Sequence, residues 1–280
     1  MMQLPSGDDM ELWLIGIGTG HLDHLTLQAV KAINGADLIL IPRKGEEKAA
    51  LAELRRSICA EVLTNPKTIV AEFDLPVRSA TGEYLDGVID WHDAIAKRWR
   101  ETFEQYPRAG KVALLVWGDP ALYDSSLRIA ERLSWHRDIS VHVVPGIMSP
   151  QVLTAAHGIP LNQLGAPFLV TTGRRLREQG WPKGVNTLLV MLDGECSFQA
   201  LDPNGISIWW GAYLGMPDQI IDSGILVEAG PRILAARRAA RAQHGWIMDI
   251  YLLRRSPAPE VPGQGSGTAA RPERGGKQPQ

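Results

Sequence analysis

The sequence predicts an α/β fold with two domains, and three observations support this prediction. The chain has 280 residues, 45% of them hydrophobic, which is enough to bury two modest cores. Residues 12–42 read as a strand, a glycine-rich turn, a helix and a second strand. Further apolar runs end in turns with glycine or proline, a pattern typical of strands that alternate with helices. We predict a parallel sheet in an N-terminal domain, residues 10–160, and a mixed sheet in a C-terminal domain, residues 165–255.

The glycine-rich turn follows the first strand, residues 12–17, and is a candidate ligand-binding loop because glycine lets the main chain approach a ligand closely. Its glycines stand at alternate positions: Gly16, Gly18 and Gly20. A dinucleotide-binding turn instead has the spacing G-x-G-x-x-G, and an acidic residue ends the second strand. Here residues 38–41 are followed by Pro42 and by two basic residues, Arg43 and Lys44. A nicotinamide cofactor is therefore not expected.

The middle of the N-terminal domain is predicted to contain helices over residues 49–63 and 86–103, with a strand over residues 68–73 between them. The second helix carries Trp91 and Trp99 at helical spacing with apolar neighbours. We expect both tryptophans to pack in the core or beside a substrate cleft.

Two later strands end in turns that are candidate ligand sites. The apolar run KVALLVWGDPALY, residues 111–123, ends in Gly118 and Asp119, and SVHVVPGIM precedes a short helix over residues 149–157. In open α/β sheets, ligands bind beyond the carboxyl ends of the strands. Gly118 lets the main chain reach a ligand, and Asp119 can accept a hydrogen bond from it. Taken alone, Gly-Asp-Pro is equally typical of a plain turn.

The C-terminal domain is predicted to have strands over residues 168–171, 187–192, 206–212 and 246–253 and a helix over residues 233–243. Turns are predicted at residues 224–226 and 231–233, where glycine and proline interrupt the pattern. Residues 256–280 are rich in proline, glycine and charge, so we expect a disordered tail without a catalytic role.

Composition argues against several classes of function. The formal net charge is −2, so the chain has no global basic field for nonspecific nucleic-acid binding. The two cysteines, Cys59 and Cys196, are too few for a disulfide scaffold or a zinc site, which suits a cytoplasmic protein. No basic leader precedes the first strand and no stretch is apolar for about 18 residues, so we expect a soluble, unprocessed protein without a membrane partner.

Two common catalytic motifs are absent from the sequence, G-x-S-x-G and H-E-x-x-H. His21 and His24, with Asp23 between them, form the closest set of candidate metal ligands. Because this set lies in a loop at the start of a helix, a capping or cleft-lining role is favoured, and no metal is predicted.

Four stretches of the chain read IGIGTGHLDHLTLQA, LLVWGDPALYDS, VVPGIMSPQVLTAAHGIPL and TLLVMLDGECSF. In order and spacing they resemble the motif series of the tetrapyrrole (corrin/porphyrin) methylases, over about residues 12–253. One departure is Gly20-His21-Leu22, where the family more often has Gly-Asp-Pro or Gly-Pro-Gly. The resemblance implies a homodimer of two-domain α/β subunits in the tetrapyrrole methylase fold, which is not a Rossmann fold. It also implies that S-adenosyl-L-methionine binds in a cleft between the domains.

The resemblance implies particular cofactor contacts. They fall on Gly118, Asp119, Met148 and Ser149 in the first domain and on Leu192, Ala212 and Trp246 in the second, the last two within one or two positions. Without the resemblance, Leu192 and Ala212 read as ordinary core residues. Methyl transfer from a sulfonium depends mainly on alignment, which is worth roughly 7 to 11 kcal/mol of barrier, so it needs neither a triad nor a metal.

Within the family, the stretches WLIGIGTG, MLDGECSF and WWGAYLGMPDQI are similar to those of methylases that act on precorrin-5. Such enzymes place a methyl group at ring carbon 1 and release the acetyl group as acetate. Loss of acetyl requires water to attack its carbonyl, and we predict Asp23, His24 and Asp193 as candidates to position or deprotonate that water. The many carboxylates of the ring point to a basic loop with Arg174 and Arg175, although arginines at a strand exit often form a solvated face.

Alternative functions remain open at this point. They are methylation of another ring carbon, a methyltransferase of the same fold that acts on RNA or protein, and a non-catalytic tetrapyrrole- or nucleotide-binding protein. A net charge of −2 does not favour RNA. A binding module would not need both the Gly-Asp-Pro turn and the VVPGI turn.

Overall fold

The computed structural model describes residues 10–43, 49–76, 84–134 and 139–255 and shows two five-stranded sheets, which confirms the predicted α/β fold. Lys44 and the tail over residues 256–280 lie outside the described residues. The strands of the first sheet are β1 (Met10–Gly16), β2 (Leu38–Arg43), β3 (Ile69–Asp74), β4 (Lys111–Val116) and β5 (Ile139–Val144). Its helices are α1 (Leu27–Gly35), α2 (Ala49–Val62), α3 (Tyr84–Glu104) and α4 (Ser126–Ser134).

The first sheet is parallel throughout, in the order β3-β2-β4-β1-β5. β4 separates the two opening strands, because Val112 pairs with Leu12 on one side and with Leu38 on the other. Helices α3 and α4 cover one face and α1 and α2 the other. Since both faces are covered, the inner strands β2 and β4 are almost continuously apolar and buried. Because all the strands are parallel, as predicted, their carboxyl ends lie at one edge of the sheet.

The second sheet is mixed, as predicted. Its strands are β6 (Leu169–Thr172), β7 (Thr187–Met191), β8 (Ile206–Ala212), β9 (Ile220–Ile225) and β10 (Asp249–Arg255). Its helices are α5 (Ser149–His157), α6 (Gly173–Gln179) and α7 (Leu226–His244). In the order β6-β7-β10-β8-β9, the pair β6 and β7 is parallel and the other three pairs are antiparallel.

Helices cover both faces of this second sheet. On one face, Ala229 and Ile233 of α7 pack with Trp210 of β8. On the other face, Leu153 of α5 packs with Leu252 of β10. Helix α5 therefore belongs to the second core although it precedes residue 160, and the domain limits proposed from the sequence stay a prediction.

Three predicted features of the C-terminal domain are wrong. The basic loop is the start of helix α6, because the Thr172 hydroxyl caps the helix by accepting a hydrogen bond from the Arg175 main-chain N–H. Strand β9 is absent from the predicted elements, since Gly224 interrupts its alternating pattern. Helix α7 begins at Leu226 and continues through Pro231. Proline costs a helix about 3 kcal/mol, which the fully buried residues of α7 offset through tertiary packing.

Candidate functional site

The carboxyl edge of the first sheet is built from three loops that pack main chain against main chain. A Cβ atom on Gly16 would lie 2.6 Å from the Gly146 nitrogen and 2.8 Å from the Gly118 oxygen, so a side chain cannot be placed there. Gly118 N donates to Gly18 O at 2.8 Å, and Gly18 N donates back to Gly118 O at 3.3 Å. Gly16 and Gly18 therefore serve this close packing, whereas the next residue, Thr19, lines a cavity.

Asp119 ties the loop after β4 to the loop after β5. Its Oδ1 accepts a hydrogen bond from Ala121 N at 2.8 Å, and its Oδ2 accepts one from Gly146 N at 2.9 Å. Both carboxylate oxygens thus hold main-chain groups in place, and each keeps further lone-pair capacity for a ligand. Asp119 fixes the shape of the loop as well as lining the cavity.

A cavity of about 330 Å³ lies between the two sheets, bounded by the loops after β4, β5 and β7 and by the start of β10. The cofactor residues predicted from the sequence that line it are Gly118, Asp119, Met148, Ser149 and Leu192. Ala212 and Trp246 do not line it. Ala212 is fully buried in the second core, and Trp246 packs edge-on against Tyr213. Leu214 and Ile247, two and one positions later, do line it, within the register range given by the resemblance.

Two residues that line the cavity adopt a strained main-chain conformation. Leu192 has φ 52° and Tyr123 has φ 51°, in the left-handed region that disfavours residues with a Cβ by about 1–2 kcal/mol. The Leu192 side chain is 65% exposed, so the alternative that it is an ordinary core residue is wrong. Strain of this kind is concentrated at functional sites.

Asp193 lines the cavity but is surrounded by hydrogen-bond donors of its own domain. It accepts hydrogen bonds from Ser197 N (2.6 Å), Ser197 Oγ (2.8 Å), Glu195 N (3.1 Å) and Tyr251 Oη (2.6 Å). Burial, together with the Asp193 charge, raises the pKa of Tyr251 well above its ordinary value. The phenol therefore stays protonated and donates to Asp193. This donor set holds the carboxylate in place and leaves it little capacity for another partner.

Arg237 and Asp249 form a buried ion pair beside Asp193. Arg237 Nε lies 2.9 Å from Asp249 Oδ2, and Arg237 Nη2 donates to the Asp193 main-chain oxygen at 3.1 Å. Trp210 Nε1 also donates to Asp249 Oδ2, at 2.8 Å. Burial lowers the pKa of Arg237, but the hydrogen bond and charge of Asp249 outweigh it, so the pKa lies above the ordinary value. The sequence analysis did not predict this pair. The available signal was Asp249, an isolated acidic residue at the start of an apolar strand.

The predicted catalytic residues Asp23 and His24 lie in a short 3₁₀ turn, Leu22–His24. The Asp23 side chain is 90% exposed and does not line the cavity. His24 Nδ1 lies 3.1 Å from the hydroxyl of Thr19, which does line it. Burial, and secondly the neighbouring His21, lowers the pKa of His24. The neutral imidazole of His24 therefore lies behind Thr19 and does not itself line the cavity.

The predicted substrate residues Arg174 and Arg175 are exposed on helix α6. Burial raises the pKa of Tyr123, and the charge of Arg175 partly offsets this effect. Neither arginine lines the cavity. Arg43, another basic residue considered from the sequence, forms an ion pair with Asp74 at 2.9 Å.

The charged residues that line the cavity are mainly acidic. They are Asp119, Asp124, Asp193 and Asp249, with Arg237 as the cation. Asp124 was not singled out from the sequence; its Oδ1 accepts a hydrogen bond from Ser126 N at 2.6 Å, in a turn that leads into helix α4. Four carboxylates against one paired guanidinium favour a cationic group over a pyrophosphate.

Among the described residues, none of the helices has both the length and the apolar character needed to cross a bilayer.

Comparison with known proteins identifies the family. The sequence profile of the Tetrapyrrole (Corrin/Porphyrin) Methylases matches residues 11–229. A Sinorhizobium sp protein named precorrin-6A synthase [deacetylating] is 47% identical over 249 residues, which is 88% of this chain and 95% of that protein. A precorrin-2 C(20)-methyltransferase of Sinorhizobium sp is 32% identical over 158 residues, covering 54% of this chain and 60% of that protein.

Solved structures show the same fold. The crystal structure of a Corynebacterium diphtheriae protein described as related to cobalamin synthesis (CobF) superposes with a TM-score of 0.73 at 36% identity, covering 88% of this chain and 99% of that one. A Thermus thermophilus uroporphyrin-III C-methyl transferase complexed with S-adenyl homocysteine has a TM-score of 0.50 at 20% identity, covering 87% and 97%, and this likeness shows the fold alone. The chain belongs to the tetrapyrrole (corrin/porphyrin) methylases.

Proposed function

We propose that this chain is an S-adenosyl-L-methionine-dependent C-methyltransferase of cobalamin (corrin) biosynthesis. It methylates precorrin-5 at ring carbon 1 and releases the acetyl group as acetate, giving precorrin-6A. The observation that carries the proposal is the 47% identity, over 88% of the chain, to a protein named precorrin-6A synthase [deacetylating]. The cavity between the sheets is a site of suitable chemistry for the cofactor.

The residues of the cavity fit S-adenosyl-L-methionine. The sulfonium is a cation, and the lining carboxylates provide a negative environment for it. The residues that would hold the cofactor are Gly118, Asp119, Met148, Ser149 and Leu192. The main chain of Gly118 is open to a ligand, because a Cβ there would meet nothing within 4 Å. When bound, the cofactor supplies an electrophilic methyl group, and the contribution of the protein is alignment of ring carbon 1 with it.

The candidates for activating water differ in how free they are to act. The oxygens of Asp193 already accept four hydrogen bonds, and Asp23 is exposed away from the cavity. His24 has a lowered pKa, so its imidazole is the free base at neutral pH and can take a proton. The geometry therefore favours His24 among the three, acting through or beside Thr19.

Calorimetric titration with S-adenosylhomocysteine and, separately, with NADH tests the cofactor proposal. We expect micromolar binding of S-adenosylhomocysteine and none of NADH. Asp119→Ala removes both loop hydrogen bonds and should abolish binding. Asp74→Ala, at the end of strand β3 of the same sheet and outside the cavity, is the matched control and should bind normally. Binding of NADH alone, or equal binding by both variants, contradicts the proposal.

Incubation with precorrin-5 and S-adenosyl-L-methionine tests the reaction. We expect one methyl transferred and one acetate released for each ring, measured by mass spectrometry and by enzymatic acetate assay. Methyl transfer without acetate identifies a methylase of another ring carbon instead, and no turnover of precorrin-5 contradicts the proposal.

The family resemblance also leads us to propose that two copies of the chain form a homodimer. The outer strand β5 presents Val141 and Val143, which are 37% and 41% exposed and are candidates for burial in such a contact. Light scattering should give twice the chain mass of 30.7 kDa. A mass of one chain at micromolar concentration contradicts this part of the proposal.

A further inference from the structure

A second cavity, of about 170 Å³, lies at the carboxyl edge of the first sheet. Its walls include the ends of β2, β3 and β4 and the apolar side of helix α3. Asp124 lines both this cavity and the larger one, so the two cavities are neighbours. The small volume suits a ligand of a few atoms, because a four-pyrrole ring exceeds it several times.

Arg55 brings a buried positive charge to this small cavity. The residue is 9% exposed and lines the cavity. Its Nε and Nη1 donate to the main-chain oxygens of Leu115 and Leu51, both at 2.8 Å. Within the described part of the chain, no carboxylate forms an ion pair with it, and the more distant Asp124 acts on it through charge alone. Burial therefore lowers the pKa of Arg55 to about 10.

Trp99 adds a buried donor without an acceptor. The residue is 4% exposed and lines the same cavity, and its Nε1 has no hydrogen-bond acceptor among the described residues. By contrast, the indole of Trp91 donates to Pro76 O at 2.9 Å. Buried donors are normally paired, and a buried charge without a counter-charge is costly. A small anion with acceptor oxygens would give the guanidinium an ion-pair partner and the indole an acceptor.

We propose that this cavity is a carboxylate subsite that receives the acetate formed in the reaction, with Arg55 as its counter-charge and Trp99 Nε1 as a second donor. This rests on the proposed function. In that reaction, the oxygen of water bonds to the acetyl carbon and one water proton passes to a base. The bond from the acetyl carbon to ring carbon 1 breaks, and its electron pair stays on the ring carbon. That carbon then takes the methyl group from the sulfonium, and the acetic acid ionises to acetate.

A separate subsite next to the larger cavity gives the departing acetyl fragment a place to go. Ring carbon 1 must face the sulfonium in the larger cavity, so the departing two-carbon fragment has to leave in another direction. The small cavity shares the Asp124 wall and offers a positive charge to the developing carboxylate. Holding acetate there keeps it away from the ring carbon during methyl transfer.

Titration of the protein with sodium acetate, in the absence of any precorrin and with sodium chloride as the ionic-strength control, tests the subsite directly. We expect saturable binding by calorimetry and a rise in Tm with acetate beyond that with chloride. Arg55→Met should raise the Kd for acetate about tenfold or more, since hydrogen bonds to charged groups are the strong ones. Trp99→Phe keeps the ring but removes the donor and should raise the Kd severalfold.

Arg56→Met is the matched control, because Arg56 is the next residue of α2 but pairs with Glu53 and Glu72 on the surface. It should bind acetate like the unmodified protein. If Arg55→Met does not fold, two milder variants carry the test. Trp99→Phe leaves Arg55 in place, and Arg55→Lys keeps a positive charge at the same position. Absence of acetate binding by the unmodified protein, or equal binding by all variants, overturns the proposal.

Kinetic measurements show whether the small cavity binds acetate or a carboxylate side chain of the tetrapyrrole ring. For an acetate subsite, added acetate inhibits turnover and Arg55→Met relieves that inhibition. A rise in KM for precorrin-5 with unchanged acetate inhibition assigns the cavity to a ring arm and overturns the proposal. Failure of the unmodified protein to release acetate from precorrin-5 refutes the proposed function, whereas normal release without acetate binding refutes the subsite alone.

Discussion

Gly146→Ala is the substitution for which the structure predicts the largest effect from a single methyl group. The added Cβ would lie 2.9 Å from both the Cα and the carbonyl carbon of Gly16 and closer still to the Gly118 oxygen. Ordinary overpacking costs about 1–3 kcal/mol when side chains adjust. Here the neighbours are main-chain atoms at the ends of β1 and β4, which cannot rotate away. Displacing the loop also strains the hydrogen bond from Gly146 N to Asp119.

We therefore expect Gly146→Ala to lower the free energy of unfolding by about 3 kcal/mol or more. For a chain of this size, this corresponds to a fall in Tm of about 6–12 °C. Affinity for S-adenosylhomocysteine should fall as well, because Gly118 and Asp119 line the cavity and move with the loop. Differential scanning calorimetry and titration calorimetry measure the two effects.

Gly35→Ala is the matched control. Gly35 ends helix α1, and a Cβ there would meet nothing within 4 Å. Alanine is a better helix former than glycine, so this variant should be as stable as the unmodified protein or slightly more so. A Gly146→Ala protein that unfolds within about 1 kcal/mol of the control and binds ligand equally would refute the account of the three packed loops.

Tyr251→Phe should cost about 1–3 kcal/mol in urea unfolding, because it removes a buried donor to Asp193. Leu192→Gly should leave stability within about 1 kcal/mol, since relief of the strain at φ 52° offsets the greater freedom of glycine in the unfolded chain, but should weaken S-adenosylhomocysteine binding. Burial raises the pKa of the Cys59 and Cys196 thiols from 9.0 to about 11. Thiols of the unfolded chain ionise first, so stability is complete below about pH 9 and falls as the pH rises toward 11, and replacing both cysteines by alanine should flatten that fall.

A different result in each experiment would contradict the corresponding prediction. An unchanged urea midpoint in Tyr251→Phe means that Asp193 is held by its other donors alone. Unchanged ligand affinity in Leu192→Gly removes this side chain from the site. A slope of stability against pH that is equal with and without the thiols, in unfolding experiments from about pH 8 to about pH 11, shows that other groups control the alkaline limit.

Much of the candidate site follows from local sequence signals. Gly118, Asp119, Met148 and Ser149 directly follow apolar runs, and parallel strands gather such ends at one edge of a sheet. The second-domain contacts are harder, because they lie at and just beyond the strand ends, where no periodic pattern shows which residue reaches the cavity. Ala212 is buried in the core whereas Leu214, two positions later, lines the cavity. A register error of one or two residues therefore decides whether a side chain reaches the ligand.

By itself, the sequence determined the α/β class, the parallel and mixed sheets, most strand positions and the family, because apolar periodicity and motif order are local properties of the chain. Only the tertiary structure decided what the glycines and charges do. Gly16 meets the main chain of two distant loops, Asp193 is enclosed by donors that include Tyr251, and Arg55 is buried without an ion pair to any carboxylate of the described residues. Pro231 likewise stays helical because α7 packs on a sheet. These outcomes depend on contacts between residues far apart in the chain, and no local pattern carries that information.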